Sequence, residues 1–307
     1  MSNNEIRDNF KTKPTFGKKK VGKAAWFYIL PSLAFVGIVV LYPLISNIII
    51  SLQTDQQLIR TGNIKFVGFA NYIGIWKEGL LQISFRNSLV FTLITVFFAF
   101  IIGFGIAILL NYVKSGSSIY RVTIVLPWVI SPIVAGFTWR WLFNDTFGYI
   151  NYTLKSLGIT SKSIVWLGDQ RMAFAAVSIA QIWRFFPFMM IMLLAGLKNV
   201  EKDQLEAASI DGAGPLQRFI HITIPQMKDI IIIVILLSFI WNFNEFGLIQ
   251  VMTNGGPLNS TMVIPVLIQR LAFLNFRLGT GAAMSIVLTA ILLILSILYL
   301  KFVGKKD

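Results

Sequence analysis

The chain contains no cysteine and only one histidine, His221, among its 307 residues. Disulfide bonds, thiol catalysis and thiolate metal sites are therefore excluded, and one histidine cannot build a histidine-rich metal site. Charged residues are also scarce, at 13%, whereas they make up about a quarter of soluble domains. The hydrophobic content of 56% instead indicates a protein that lives in a membrane.

The sequence also lacks the motifs of nucleotide and enzyme chemistry. No Gly-x-x-x-x-Gly-Lys-Ser/Thr phosphate loop occurs, so we expect that this chain does not hydrolyse ATP itself. The stretch GGPLNST, residues 255–261, has glycines and hydroxyls but no lysine. A nucleophile–base pair, a metal-ligand set and paired carboxylates are missing as well, which argues against a membrane enzyme. The net charge of +14 does not indicate nucleic acid, because the basic residues lie between apolar runs.

Six apolar runs are each long enough to cross a bilayer, which takes about 20 residues. They predict an all-α membrane protein, because backbone groups that face lipid must be hydrogen bonded within a helix. The first run is too long for a cleaved signal peptide, and no small-residue cleavage site follows it. The predicted spans are residues 24–52, 87–112, 119–143, 173–197, 226–252 and 278–303.

The distribution of lysine and arginine predicts the orientation of these spans. Sixteen of these residues fall on the side that holds both termini and nine on the other side, while Arg140 and Arg184 lie within or at the edge of spans. We therefore expect cytoplasmic tails at residues 1–23 and 304–307. Residues 1–16 are polar and without period, which predicts disorder. The basic run at residues 17–23 is typical of a positive-inside anchor, with recognition of anionic lipid as the alternative.

A polar stretch interrupts the apolar pattern between the fourth and fifth spans, in the cytoplasm on this topology. Residues 203–212 read as a short helix with Asp203 as N-cap and Glu206 three residues on, a variant of the capping box. Gly212 suits the left-handed residue after the helix, and Pro215 suits the first turn of a second one. So short a helix needs packing to be stable. It is either a capped connector within the bundle or a docking element for another protein.

The spacing in this stretch is Glu-Ala-Ala, three residues, Gly, nine residues, Ile, one residue, then Ile-Pro, beginning at Glu206. This pattern resembles the EAA loop of ATP-binding-cassette importer permeases, with Ile224 where the family usually has leucine. EAASIDGAGPLQRF is similar to the carbohydrate branch, although Leu216 stands where an aromatic residue is common. The stretches at residues 251–261 and 279–288 resemble the maltose-permease-like first subunit of that branch.

The resemblance implies a type I importer permease fold with a cytoplasmic coupling helix in the loop 198–225. It implies a transport complex with a second related permease, two ATP-binding-cassette ATPases and an extracytoplasmic sugar-binding protein. ATP and Mg would be bound by the ATPases, and this chain would hold no cofactor or metal. The residues that the resemblance assigns to ATPase docking are Asp203, Glu206, Ala207, Ala208, Asp211 and Gly212.

Polar residues within spans are candidates for a substrate pathway. The densest cluster is SFIWNFNEFG in the fifth span, where Trp241 and Glu245 are expected to share one helix face. Amides and a carboxylate can hydrogen bond sugar hydroxyls, and an aromatic ring can stack on a pyranose. Asn242 and Asn244 are candidates on this ground, although asparagines also hold helices together.

The fourth span adds Gln181 and Arg184 to the pathway candidates. A buried arginine needs an acid, carbonyl groups or water, and Glu245 is a possible partner. Such a pair would make both residues structural, so a ligand role and a structural role stay open. The apolar segment 260–273 is shorter than a span and predicts an interfacial or partly re-entrant helix. The competing function is an ATP-independent secondary transporter or channel, which often shows internal repeats and several buried acids. Neither feature is evident here.

Overall fold

The computed structural model describes residues 23–55, 64–113 and 117–303. The predicted tails, 1–23 and 304–307, therefore lie outside the described residues except for Lys23, and so does the basic run up to that residue. In chain order the α-helices are α1 Lys23–Val36, α2 Tyr42–Ser51, α3 Ala70–Lys77, α4 Leu80–Tyr112, α5 Ser117–Val129, α6 Pro132–Leu142, α7 Tyr149–Ser156, α8 Gln170–Lys198, α9 Lys202–Ile210, α10 Pro215–Arg218, α11 Ile224–Gln226, α12 Lys228–Phe243, α13 Gly247–Met252, α14 Ile264–Gln269 and α15 Leu278–Val303.

The predicted all-α membrane fold is confirmed. Among the described residues, five helical stretches are long and apolar enough to cross a membrane, and a sixth span is reached if the bent pair of α5 and α6 counts as one. The first stretch joins α1 to α2 through the π-helical residues Gly37–Leu41. The chain divides into two compact units, Met1–Ile49 and Ile50–Asp307.

The predicted third span, 119–143, is not one straight helix. The chain bends by 97° between α5 and α6. Ser131 adopts an extended conformation, and Pro132 is the first residue of α6. A proline disfavours helical backbone in the residue before it and lacks the N–H that would continue the helix, so the break falls at this position. The second span also begins earlier than predicted, at Leu80 rather than residue 87.

The core of the second unit forms where α4 and α8 pack along each other. Gly103 permits this contact, because a Cβ atom there would lie 2.8 Å from the Met189 Cβ and 2.8 Å from the Phe186 carbonyl oxygen. Gly105, two residues on, faces open space. Met189 and Met190 on α8 are fully buried beside this seam. Small residues at such a seam let helix backbones approach closely in membranes.

Much of the segment 260–273 is buried in the core, and its predicted interfacial or partly re-entrant position in the membrane stays a prediction. Ile264, Val266 and Leu267 on α14 are almost completely buried. The Ile264 backbone N–H donates to the Ser88 hydroxyl at 2.9 Å, and the Asn87 amide donates to the carbonyl oxygens of Asn259 and Met262. These contacts satisfy polar backbone groups in and before the start of α14, which lets the segment pack inside the protein.

Candidate functional site

The first candidate site is the loop 198–225, in which α9 begins two residues earlier than predicted. Glu201, not Asp203, is the N-cap, and it makes no side-chain cap hydrogen bond. The predicted capping box is therefore wrong. Asp203 lies in the first turn instead, where an acidic side chain interacts favourably with the helix dipole.

Gln226, at the end of α11, holds the start of α9 in place. Its side-chain carbonyl accepts a hydrogen bond from the Glu201 backbone N–H at 2.9 Å. Its side-chain amide donates to the Gln204 side-chain oxygen at 2.8 Å. Because the first N–H groups of a helix have no intrahelical partner, the bond to Glu201 satisfies one of them, the N–H of the N-cap residue. The two bonds tie α9 to the residue that precedes the fifth span.

The helix α9 ends as predicted, with a left-handed glycine directly after its last turn. Gly212 has φ +84°, in the left-handed region. The Ala213 N–H donates to the Ala208 carbonyl at 2.9 Å and the Gly212 N–H to the Ser209 carbonyl at 3.2 Å. These two bonds form the Schellman motif, which satisfies carbonyls left over at a helix end. Pro215 then starts α10, as predicted, and the Gly214 N–H donates to the Gln217 side chain at 2.9 Å.

The residues that the resemblance assigns to docking lie mostly on the outside of the protein. Ala208 is half-buried, whereas Asp203, Glu206, Ala207, Asp211 and Gly212 are exposed. Leu205 packs against the core. Two larger apolar side chains nearby are largely exposed, Ile210 at 87% and Leu216 at 69%. The loop therefore presents a mixed polar and apolar surface to its surroundings.

The second candidate site lies around a break in the fifth span, between α12 and α13. The helix stops at Phe243, and residues 244–246 are not helical. The prediction that Trp241 and Glu245 share a helix face is therefore wrong, because four-residue spacing places residues together only within a continuous helix. Trp241 is 46% exposed, whereas Glu245 is buried at 7%.

Four of the predicted pathway residues form one buried network, which we call the mid-membrane network: Gln181, Arg184, Asn242 and Glu245. The Arg184 Nη2 lies 2.8 Å from the Glu245 Oε2, which is the pairing considered from the sequence. The Arg184 Nε donates to the Gln181 Oε1 at 3.1 Å. The Gln181 amide donates to the Asn242 Oδ1 at 2.8 Å and more weakly to the Glu245 Oε2 at 3.3 Å.

The two other pathway candidates, Trp241 and Asn244, are exposed and lie outside this network. The Trp241 ring packs against Phe188, with centroids 4.9 Å apart, and against Phe185 at 6.3 Å. Trp128 contacts Phe188 from α5, at 5.6 Å. The fifth span thus has a polar interior side that is already hydrogen bonded and an exposed side that carries one indole and one amide.

Residues 99–305 match the family described as binding-protein-dependent transport system inner membrane component. This chain belongs to that family. It is similar to the trehalose/maltose transport system permease protein MalF of Thermococcus litoralis, with 33% identity over 92% of this chain and 95% of the relative. It is also similar to the sulfoquinovosyl glycerol transport system permease protein SmoG of Agrobacterium fabrum, with 30% identity over 91% and 90% of the two chains.

The fold of this permease also matches a solved structure. A bacterial ABC transporter involved in the import of the acidic polysaccharide alginate aligns with a TM-score of 0.77. The alignment covers 92% of the permease and 95% of that chain, at 18% identity. The predicted ABC importer permease fold is therefore confirmed, and the permease is a multi-pass inner membrane component.

Several contacts in the permease were not predicted from the sequence. The Glu245 Oε1 accepts a hydrogen bond from the Leu248 backbone N–H at 3.1 Å, which gives the buried carboxylate a third partner besides Arg184 and Gln181. The role of Gln226 was also missed, because its bonds to Glu201 and Gln204 join residues more than 20 positions apart in the sequence. No group of three or more metal-ligating side chains is found within the part of the permease that the structure describes.

A third cluster, the outer clasp, consists of Asp55, Glu78 and Arg277. The Arg277 guanidinium makes two bonds to Glu78, at 3.0 and 2.9 Å, and one to Asp55 at 3.1 Å. Asp55 in turn accepts from the Thr280 backbone and hydroxyl. The hydrogen bonds to Glu78 raise the pKa of Arg277 above its ordinary value, so it stays charged at physiological pH. The clasp joins the start of α15 to the segment before α3 and to the end of α3.

Proposed function

We propose that this permease is one of two related membrane subunits of an ATP-driven, binding-protein-dependent importer of sugars, most specifically oligosaccharides. The family description supplies the dependence on a binding protein. The two relatives named above are permeases of a trehalose/maltose and a sulfoquinovosyl glycerol transport system, and the matching fold belongs to a polysaccharide importer. The complex would contain a second permease, two ATPases that bind ATP and Mg, and an extracytoplasmic sugar-binding protein.

The exposed surface of α9 is the observation that carries this proposal. The helix has nine residues, too few to be stable by propensity alone. It is fixed on its inner side by Leu205 and at its start by Gln226, while Glu206, Ala207 and Ile210 point outward. When a partner covers an apolar side chain as exposed as Ile210, the free energy of the complex is lowered. We infer that the cytoplasmic ATPase is that partner.

The exposed side of the fifth span is the proposed contribution to the sugar pathway. Trp241 offers an indole face and Asn244 an amide, both accessible from outside the chain. A sugar ring has an apolar face that packs on an aromatic ring, and its hydroxyls pair with amide groups. Binding sites of this kind combine aromatic surface with a few placed polar groups.

The test compares two glycines that share a backbone conformation. Gly212 and Gly158 have φ values of +84° and +71°, and a Cβ atom would meet no neighbour at either position. Gly212→Asp and Gly158→Asp therefore carry a similar conformational cost, but only the first adds a charged side chain to the proposed docking surface.

The two variants are reconstituted in proteoliposomes with the companion permease, ATPase and binding protein. We expect Gly212→Asp to abolish sugar-stimulated ATP hydrolysis and uptake while membrane insertion is unchanged, and Gly158→Asp to keep both activities. Equal activity of the two variants would contradict docking at this loop. Sugar uptake by the permease alone, without ATP, would instead favour the secondary transporter.

A further inference from the structure

A cavity of about 290 Å³ lies beside the loop 198–225, where the ends of α4 and α8 meet α9 and α10. Most of its wall is apolar, with Ile108, Leu197 and Phe219 among the lining residues. The rest of the wall is polar and is contributed by the end of α4 and by the loop. An apolar wall with a few polar side chains is typical of a site for a small ligand.

Four polar side chains line this cavity, and each of them can donate a hydrogen bond. No acidic side chain is among the lining residues that the structure describes. A guanidinium together with neutral donors, and no acid beside them, is complementary to an anion. We call these four side chains the donor cluster: Asn111, Tyr112, Arg218 and Thr223.

The side chains of the donor cluster have no hydrogen-bond partner within the part of the chain that the structure describes. Thr223 is only 8% exposed. A threonine in a helix often bonds the carbonyl four residues earlier, as Thr289 does to Ser285 at 2.9 Å. A buried hydroxyl without any partner is unfavourable. Thr223 and the half-buried Arg218 therefore lack an acceptor that the described protein itself supplies.

The cavity lies at the depth of lipid headgroups. The helix α4 has 33 residues, which is about 50 Å at 1.5 Å per residue, whereas a bilayer with its headgroups is about 40–45 Å thick. Both ends of α4 therefore reach the headgroup layers. Tyr112 is its last residue and is 79% exposed, as is typical of tyrosines at this depth. On the predicted topology this is the cytoplasmic layer, which contains anionic lipids.

Arg218 decides whether the donor cluster can hold an anion. The cavity adjoins the C-terminal ends of α4 and α8, and the partial negative charge at a helix C-terminus disfavours an anion. The guanidinium offsets this charge, and it can bind a phosphate through two parallel hydrogen bonds. Binding of an anion is therefore expected to depend on Arg218 more than on the neutral donors.

We propose that this cavity binds one anionic phospholipid of the cytoplasmic leaflet, with the lipid phosphate on the donor cluster and the start of an acyl chain against the apolar wall. Leu205 of α9 also lines the cavity, so the lipid contacts the loop 198–225 and the end of α4 at the same time. It thereby stabilises the position of the loop relative to the spans. The lipid site does not depend on the proposed function, whereas an effect on coupling rests on it.

The first test measures lipid binding to the detergent-solubilised transport complex by native mass spectrometry, with phosphatidylglycerol and phosphatidylcholine as probes. We expect the parent to bind phosphatidylglycerol about tenfold more tightly, because the choline cation opposes the charge of Arg218. Arg218→Gln should remove this preference, and Arg218→Lys should keep most of it. Thr223→Val preserves the shape of the side chain without its hydroxyl and should weaken phosphatidylglycerol binding about threefold.

Lys301→Gln is the matched control for charge. Lys301 is an exposed cation in the last turn of α15, on the predicted cytoplasmic side, and it does not line the cavity. Its substitution removes the same charge and should leave the lipid preference unchanged. Equal losses in Lys301→Gln and Arg218→Gln would indicate general attraction between a basic protein and anionic lipid, and would overturn the site. A parent without any preference would overturn it as well.

Two other acceptors predict different results. A free anion in the cavity predicts that inorganic phosphate raises the thermal stability of the parent complex but not of Arg218→Gln, while phosphatidylglycerol does neither. A carboxylate of the ATPase predicts that Arg218→Gln retains less ATPase on purification, while the parent shows no lipid preference. Either result would overturn the lipid site.

The second test measures sugar uptake per ATP hydrolysed in proteoliposomes of the two lipids. We expect the parent ratio to be roughly fivefold higher in phosphatidylglycerol than in phosphatidylcholine, and the Arg218→Gln ratio to be the same in both. Equal ratios in the parent would overturn the effect on coupling. A complex that takes up no sugar in either lipid would refute the proposed function, while the binding measurements would still decide the lipid site.

Discussion

At the scale of single residues, Trp241 is the most exposed large aromatic side chain in the segment proposed to face the sugar. Trp241→Ala should raise the KM for sugar uptake about tenfold, since loss of about 1.4 kcal/mol of stacking corresponds to that factor. The measurement is uptake of labelled sugar at several concentrations in reconstituted complex. Trp76→Ala removes a comparably exposed indole on α3 and should leave KM unchanged. Similar effects of the two substitutions would count against stacking at Trp241.

Local sequence chemistry predicted single residues well where the interaction was itself local. The left-handed Gly212 and the start of α10 at Pro215 were predictable because each depends on the conformation of a few adjacent residues. The prediction that Asp203 caps α9 was wrong, because a tertiary contact with Gln226 holds the start of that helix. The prediction that Trp241 and Glu245 share a face was wrong, because a break interrupts the helix between them.

At the scale of secondary-structure elements, the tether between α9 and α11 leads to a prediction about coupling. Gln226→Ala removes two hydrogen bonds that hold the start of α9, each worth about 1 kcal/mol. We expect sugar uptake per ATP hydrolysed to fall roughly fivefold, with the amount of assembled complex unchanged. Uptake and phosphate release are measured on the same proteoliposomes.

Gln82→Ala is the matched control for this prediction. Gln82 is also an exposed glutamine, and its amide donates to the Trp76 carbonyl at 2.9 Å, away from the loop 198–225. It should leave the ratio of uptake to hydrolysis as it is in the parent. An unchanged ratio in Gln226→Ala would mean that the tether has no part in coupling.

Apolar length predicted the membrane helices, but not their bends. A long apolar run specifies that a segment crosses lipid, since no other backbone arrangement satisfies its polar groups there. The break at Ser131 follows from Pro132, but its angle of 97° was not predicted. The burial of α14 depends on Asn87 and Ser88, which bond to the segment before α14 and to its first residue. Such contacts join residues more than 100 positions apart and leave no periodic signal in the sequence.

At the scale of the whole molecule, the cysteine-free sequence allows a direct test of orientation. Ile210→Cys and Ile159→Cys each place one thiol at a well-exposed position, with parent exposures of 87% and 68%. The distribution of basic residues predicts that position 210 is cytoplasmic and position 159 is outside. A maleimide that cannot cross membranes should label Ile159→Cys in intact cells, and should label Ile210→Cys only after the cells are opened. The reverse pattern would invert the proposed topology and remove α9 from reach of an ATPase.

The family and the overall architecture could be predicted from the sequence because they depend on features that are repeated or strongly patterned. The six apolar runs and the spacing from Glu206 to Pro225 were sufficient for both. The candidate site was predictable as a set of residues but not as an arrangement. Gln181, Arg184, Asn242 and Glu245 were identified by their polarity within spans, whereas their mutual hydrogen bonds depend on how α8 meets the break in the fifth span.

The two hydrogen bonds at Gln226 connect the position of α9 to the tilt of the fifth span. After the turn at Met227, α12 runs thirteen residue steps from Lys228 to Trp241, which is about 20 Å at 1.5 Å per residue. A tilt of about 5° at the cytoplasmic end would displace the indole by roughly 2 Å over that length. Such a displacement is enough to make or break a stacking contact. On the proposed function, motion of α9 driven by the ATPase would thus move Trp241 without any rearrangement inside the span itself.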